Sequence, residues 1–269
     1  PESHMVSPSQ GIHLVVDREF LPGDHALLVP KTDDGRVMFA VPWLGKVLLG
    51  TTDTPRDAIE EEPTPLADEV DFILGEAAKY LQRAPTANDV RSIWGGVRPL
   101  VRPPRTEAGS TKNISREHVV VVDGSGLVSV TGGKWTTYRA MAEDVIQRCI
   151  DAGLVATQES SRTLDLPLIG APSVNVHRLC DPPGAHQYGT EATLLDELPG
   201  AQRELGMGLT EAMVRFAVRH EGARKIEDVL ARRSRILFLD AELAGELADD
   251  VAAIMANELG RPVDDLSTE

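Results

Sequence analysis

Cysteine is nearly absent from this chain. Cys149 and Cys180 are the only two among 269 residues, and neither sits in a CxxC pair or beside a histidine-rich stretch. That excludes a disulfide scaffold, leaves no metal site to expect, and is compatible with a reducing, cytoplasmic compartment. Long apolar runs are missing as well. No stretch approaches the roughly 18–20 consecutive apolar residues of a membrane span, and no signal peptide is recognisable at the start. Positive charge is in deficit: 27 Lys and Arg stand against 42 Asp and Glu, for a formal net charge of −15 and a pI of about 4.9. Such a balance argues against a nucleic-acid partner. No internal repeat is visible. What is present is a hydrophobic content of 42%, enough for a real core spread over about two domains. Residues 1–5, Pro1-Glu2-Ser3-His4-Met5, read as a cloning scar, so His4 is assigned no chemistry.

The pattern predicts an α+β fold: a mostly antiparallel sheet with packed helices, followed by a small all-helical carboxy-terminal domain. Short apolar runs at 12–16, 26–29, 37–41 and 47–49 read as strands. Turn chemistry at Pro22-Gly23-Asp24, Asp33-Asp34-Gly35 and Leu44-Gly45 separates them. Val70, Ile73, Leu74, Ala77, Ala78 and Leu81 recur at helical spacing across 66–81. More strands are expected within 90–101, at 119–122 and at 127–130, then a helix from Trp135 to about Ala152 stopped by Gly153. That helix would turn Tyr138, Met141 or Ala142, Val145 and Cys149 to one face. Domain boundaries are expected at 6–155, with a linker or irregular segment at 156–189 and helices over 190–269. Candidate helices lie near 191–199, 210–220, 225–231 and 240–259. Val214, Phe216, Ala217, Ile226, Val229, Leu230, Ile236, Leu237, Phe238 and Leu239 would form the bundle core.

Two stretches carry chemistry. Arg91, Arg98, Arg102, Arg105, Lys112 and Arg116 concentrate positive charge in an acidic chain. Guanidinium forks of that kind bind phosphate or carboxylate oxygens, although a basic surface balancing the acidic remainder gives the same composition. In Val128-Ser129-Val130-Thr131-Gly132-Gly133-Lys134-Trp135-Thr136 a strand passes through two glycines into a helix start. Helix-start N–H groups and Lys134 suit a partly negative ligand atom; a turn that uses glycine for its dihedrals alone is the other reading. It is not a P-loop, since Val128 stands where the first glycine belongs and Trp135 where Ser or Thr must follow the lysine. Gly124-Ser125-Gly126 reads as a hairpin turn and not as a dinucleotide fingerprint. Gly50-Thr51-Thr52-Asp53 reads as a cap or turn with a ligand-facing role left open. His13, inside a strand, is either structural or a base.

Taken in order, Gly11-Ile12-His13, Gly50-Thr51-Thr52-Asp53, Gly95-Gly96-Val97-Arg98-Pro99-Leu100, Ile114-Ser115-Arg116-Glu117-His118 and Thr131 to Arg139 resemble the carboxy-terminal portion of FAD-dependent glycerol-3-phosphate dehydrogenase. That family lies in the D-amino-acid-oxidase-like flavoprotein superfamily. The resemblance runs from about Val6 onward, and Glu227 to Arg233 is similar to the family's helical domain. It implies a substrate domain whose sheet covers FAD, and hydride transfer from C2 of sn-glycerol 3-phosphate to the flavin, giving dihydroxyacetone phosphate. An oxidase using oxygen, or a non-catalytic anion-binding module, is the alternative. The family's electrons go to quinone, with the parent protein peripheral on the cytoplasmic face of the inner membrane. Carried over residue by residue, His13 and Arg98 become catalytic candidates. Arg98, Arg116 and Lys134 become substrate ligands, and Gly132, Gly133, Lys134 and Thr136 become flavin contacts. The GxGxxG turn that holds the FAD pyrophosphate is missing, so the chain alone is expected to hold no FAD and to be inactive.

Overall fold

The computed structural model describes residues 6–101, 117–156, 160–174 and 177–266. The expected scar and Arg102, Arg105, Lys112 and Arg116 lie outside the described residues. In chain order the strands are β1 (Val6–Asp17), β2 (Leu27–Val29), β3 (Met38–Trp43), β4 (Lys46–Gly50), β5 (Thr54–Pro55), β6 (Val90–Val101), β7 (His118–Val122), β8 (Val128–Gly132), β9 (Glu204–Gly206) and β10 (Leu209–Thr210). The helices are α1 (Ala67–Tyr80), α2 (Tyr138–Asp151), α3 (Ala192–Asp196), α4 (Glu211–Arg219), α5 (Ile236–Leu239) and α6 (Ala241–Leu259). The fold is α+β, its sheets antiparallel. Contacts divide it into two compact units that do not follow consecutive blocks of sequence. One holds Pro1–Gly11, Asp53–Thr64 and Gly95–Leu168; the other holds Ile12–Thr52, Pro65–Trp94 and Ile169–Glu269.

In the second unit β2, β3, β4 and β1 pair in that spatial order. The turns fix the register. Gly35 N–H donates to the Thr32 carbonyl (2.9 Å) and Gly35 takes φ 81°, while Asp34 accepts from Thr32 Oγ1 and from Arg36 N. Leu44 and Gly45, both at positive φ, join β3 to β4 as a two-residue hairpin with Trp43 opposite Lys46. With that register Met38 and Ala40 on β3, Val47 and Leu49 on β4, and Ile12, Leu14 and Val16 on β1 reach one core. Period-two alternation along the strands accounts for this. Helix α1 covers it with Ile73 and Ala77, four residues apart and both fully buried.

The same unit contains the carboxy-terminal helices. Met213, Val214, Phe216 and Ala217 of α4 pack with Val251, Ile254 and Met255 of α6. Thr210 Oγ1 accepts from Met213 N at the start of α4, and Asp240 Oδ1 accepts from Leu243 N at the start of α6. Three expectations are corrected here. The helix expected at 225–231 is a π-helical turn over Asp228–Arg233. The one expected at 191–199 covers only Ala192–Asp196: Glu191 closes a 3-10 segment over Ala185–Glu191, and the α-helix ends at its cap residue Glu197. Leu237 and Phe238 are not in the bundle core: Leu237 is 36% exposed, and Phe238 packs on Trp94 beside the sheet. A four-residue helix exposes part of its circumference, so an unbroken apolar run cannot be buried all round.

In the first unit β7 and β8 form a hairpin whose turn is Asp123–Leu127. Asp123 Oδ1 accepts from Ser125 N at 2.7 Å, so Gly124-Ser125-Gly126 is a hairpin turn as read from sequence. The helix expected from Trp135 begins as a 3-10 turn over Trp135–Thr137 and becomes α-helical at Tyr138. Met141, Val145 and Cys149 are its half-buried side, while Tyr138 and Ala142 are exposed. In the same unit Ser9 and Gln10 of β1 pair with Pro55 and Thr54 of β5. No helix among the described residues is long and apolar enough to cross a membrane.

Candidate functional site

Arg98 lies on β6 and Gly11 on β1. A Cβ built on Gly11 would stand 2.2 Å from Arg98 Nη2 and 2.5 Å from its Cζ. The guanidinium therefore rests flat against bare backbone, a position open to it only because residue 11 is glycine. Asp53 faces it, with Oδ1 at 3.8 Å from Nη1, and Ser9 Oγ donates to that same carboxylate. Ser9 is fully buried and the Asp53 side chain only 11% exposed, whereas Arg98 keeps 27% of its side chain accessible. A guanidinium beside a nearly buried carboxylate, with part of its side chain accessible, has the chemistry to receive an oxyanion.

The rest of the Gly50-Thr51-Thr52-Asp53 motif is structural. Thr52 Oγ1 accepts from Ile12 N at 3.0 Å and donates to Glu69 Oε1 at 2.8 Å. Glu69 in turn accepts from Leu66 N at the start of α1. The motif thus ties β4, β1 and α1 together. Arg91, counted with the basic run, serves structure too: its Nε and Nη2 donate to Asp17 at 2.9 and 2.7 Å. Lys46 holds the other Asp17 oxygen at 2.7 Å. Burial would raise the Asp17 carboxyl, but the bonds from Lys46 and Arg91 outweigh it and hold it below the usual range.

In the second unit His13 is enclosed by aromatic rings. Trp94 stacks on it with centroids 4.3 Å apart and planes 26° apart, and Phe39 stands at 5.7 Å. Gly50 lies against the imidazole, since a Cβ there would come within 2.4 Å of His13 Cδ2. Phe238 meets Trp94 edge-on at 5.3 Å.

Back in the first unit, Gly132 and Gly133 take φ 77° and 79°, the left-handed region that favours glycine. A Cβ on Gly133 would meet Met141 Sδ at 2.6 Å and His118 Cβ at 3.1 Å. The two positive-φ residues turn the chain sharply out of β8, and Lys134, Trp135 and Thr136 are exposed at the start of the helical segment. Thr137 N and Oγ1 both donate to the Lys134 carbonyl, which fixes the turn. His118 Nε2 at 3.1 Å from Asp144 Oδ2 fastens α2 to β7. The first N–H groups of a helix have no carbonyl four residues back, so this exposed edge and Lys134 have the chemistry to meet a partly negative atom.

Of the residues singled out from sequence, Gly132, Gly133, Lys134 and Thr136 share one turn, Arg98 stands over Gly11, and His13 stands in the ring cluster. Arg116 lies outside the described residues. Ser9, Trp94 and Phe238 were missed. The bare positions Gly11 and Gly50, each the site of a close approach, are the signal in sequence that could have pointed to these surroundings.

Residues 1–139 match the family described as FAD-dependent oxidoreductase, and residues 130–265 match the C-terminal domain of alpha-glycerophosphate oxidase. The chain is 38% identical to the mitochondrial glycerol-3-phosphate dehydrogenase SDP6 of Arabidopsis thaliana, over 94% of this chain and 45% of that protein. It is 33% identical to the mitochondrial glycerol-3-phosphate dehydrogenase of Schizosaccharomyces pombe, over 98% of this chain and 48% of that one. The chain thus spans somewhat less than half the length of these relatives. A similar solved structure is the glycerol-3-phosphate dehydrogenase from Bacillus halodurans complexed with FAD. The TM-score is 0.73 at 25% identity, over 97% of this chain and 54% of that one.

Proposed function

The chain belongs to the FAD-dependent oxidoreductase family, and from that premise we propose that its parent protein oxidises sn-glycerol 3-phosphate to dihydroxyacetone phosphate. The observation that carries this reading is Arg98, held on Gly11 and oriented by Asp53. It supplies an oxyanion receptor on a strand within the family's region. Arg98 binds the substrate phosphate or the reacting oxygen, and Arg116 and Lys134 supply further charge for the phosphate. His13 accepts the proton of the C2 hydroxyl as the C2–H bond breaks.

The double-glycine turn fits a flavin: its exposed donors and Lys134 match an oxygen that becomes more negative on reduction. Gly132, Gly133, Lys134 and Thr136 would hold that edge, and the bound FAD supplies the hydride acceptor. Electrons leave to quinone, with the parent protein peripheral on the cytoplasmic face of the inner membrane. The chain on its own is inactive, because the pyrophosphate-binding turn is not part of it.

Oxygen as acceptor is a second reading, favoured by the match of residues 130–265 to the C-terminal domain of alpha-glycerophosphate oxidase. The test is dihydroxyacetone phosphate formation by the FAD-loaded parent protein, with a soluble quinone under argon and then with air alone. Quinone-dependent product under argon supports the dehydrogenase. Product only with oxygen transfers the reading to an oxidase, and no product under either condition removes the substrate assignment.

A further inference from the structure

Phe238, Trp94, His13 and Phe39 form a continuous run of rings through the second unit. Phe238 abuts Trp94 at 5.3 Å, Trp94 stacks on His13 at 4.3 Å, and Phe39 stands beyond His13 at 5.7 Å. The first ring belongs to the carboxy-terminal helices and the other three to the sheet. That end of the run is fastened by contacts unrelated to the rings. Ser92 Oγ, two residues before Trp94, donates to the Leu237 carbonyl at 2.9 Å. Lys46 reaches both Asp17 of β1 and Asp240, the residue that caps α6. Arg235 precedes α5 at φ 64°, and Phe238 of α5 packs on Trp94 of β6.

We propose that Phe238 and Trp94 are positioning residues for His13, so that the carboxy-terminal helices set the orientation of the imidazole. This rests on the reading of His13 as proton acceptor. The imidazole packs on the Gly50 backbone, so close that a Cβ there would come within 2.4 Å of its Cδ2. The indole face of Trp94 restricts its rotation, and Phe238 holds the indole edge-on, a favoured aromatic geometry. Trp94 Nε1 is buried and has no hydrogen-bond partner among the described residues. Its ring is therefore located by stacking and not by its polar atom.

The experiment has two parts. In the 269-residue chain itself, proton NMR reads the His13 ring signals, assigned by their loss in His13→Asn. Stacking on the indole face shifts them upfield. Phe238→Leu keeps an apolar side chain of similar bulk and should move them back, whereas Phe238→Tyr, which keeps the ring, should not. In the FAD-loaded parent protein, Phe238→Leu should lower kcat by roughly 10- to 100-fold with KM little changed, as a small displacement of a reacting group does. Phe238→Tyr should restore it, and in a His13→Asn background Phe238→Leu should add nothing. Unmoved His13 signals in Phe238→Leu, or an equal loss of kcat with and without His13, overturn the proposal while leaving the reading of His13 intact. A His13→Asn enzyme with undiminished kcat overturns that reading first and this proposal with it.

Discussion

At Gly11 one methyl group decides where a guanidinium sits. Placing a Cβ 2.2 Å from Arg98 Nη2 forces the side chain off the backbone surface and away from Asp53. Gly11→Ala in the parent protein should therefore mimic a partial loss of Arg98 while leaving the strand and the flavin in place. A roughly 10- to 100-fold fall in kcat/KM with unchanged flavin content is the expected outcome. Steady-state kinetics with the flavin absorbance of the same preparation check it, and normal kinetics would mean that Arg98 has no ligand to hold. Lys134 makes a different case. It is exposed, so Lys134→Ala should spare the fold; it should weaken substrate binding or lower the flavin reduction potential, since a cation near reduced flavin favours that form. Substrate titration and spectroelectrochemistry read these two effects separately. Of the basic run, sequence marked Arg98 and Arg91 alike, because charge counts cannot see that Asp17 lies beside one of them.

At the scale of elements, the turn between β8 and α2 and the α4–α6 pair give separate tests. Gly133→Val places a branched side chain at φ 79° and against Met141, a strain of about 1–3 kcal/mol before any clash. Flavin content of the purified parent protein should fall, and normal content would make the turn merely structural. Between the helices, Glu258 accepts from Arg219 and Arg215, and Glu211 from Arg215 and Arg203. These bonds hold both carboxyls below their ordinary value of 4.5. A depressed folded-state pKa contributes stability that is present above 4.5 and lost as pH falls toward the folded value. The thermal midpoint should drop through that acid range, and Glu258→Gln should lower it at neutral pH and flatten the acid slope. An unchanged slope would discount the pairs. Strands β1 to β4, β6 to β8 and α1 were legible because alternation and helical spacing are local signals, and Asp33-Asp34-Gly35 declared its turn, whereas the short β5, β9 and β10 carry too few residues for a pattern. The π-helical turn at Asp228–Arg233 and the place of Phe238 were not. Ser92 and Leu237 bond across 145 residues, and no local pattern encodes such a meeting.

At the scale of the whole molecule, the described residues of the first unit include exposed apolar surface. Trp135 is 87% exposed, Val119, Val121 and Val130 are exposed, and α2 has no buried side chain. With no pyrophosphate-binding turn in its sequence, the chain alone should bind FAD weakly or not at all. Flavin titration followed by fluorescence checks this, and a stoichiometric yellow cofactor surviving purification contradicts it. The family and the fold class could be read from five short motifs in order. The partnership of Ser9, Asp53 and Gly11 around Arg98 could not, because it joins β1, β6 and the residue before β5, which are distant in sequence. The most direct measurement is anaerobic mixing of the FAD-loaded parent protein with sn-glycerol 3-phosphate, followed at the flavin absorbance, for wild type and Arg98→Ala. Wild type should bleach fully. Arg98→Ala should keep its flavin and bleach slower by about 30- to 1,000-fold, the loss of one charge-assisted contact worth about 2–4 kcal/mol in the transition state. Bleaching at the wild-type rate in Arg98→Ala, or none in wild type, would contradict the assignment.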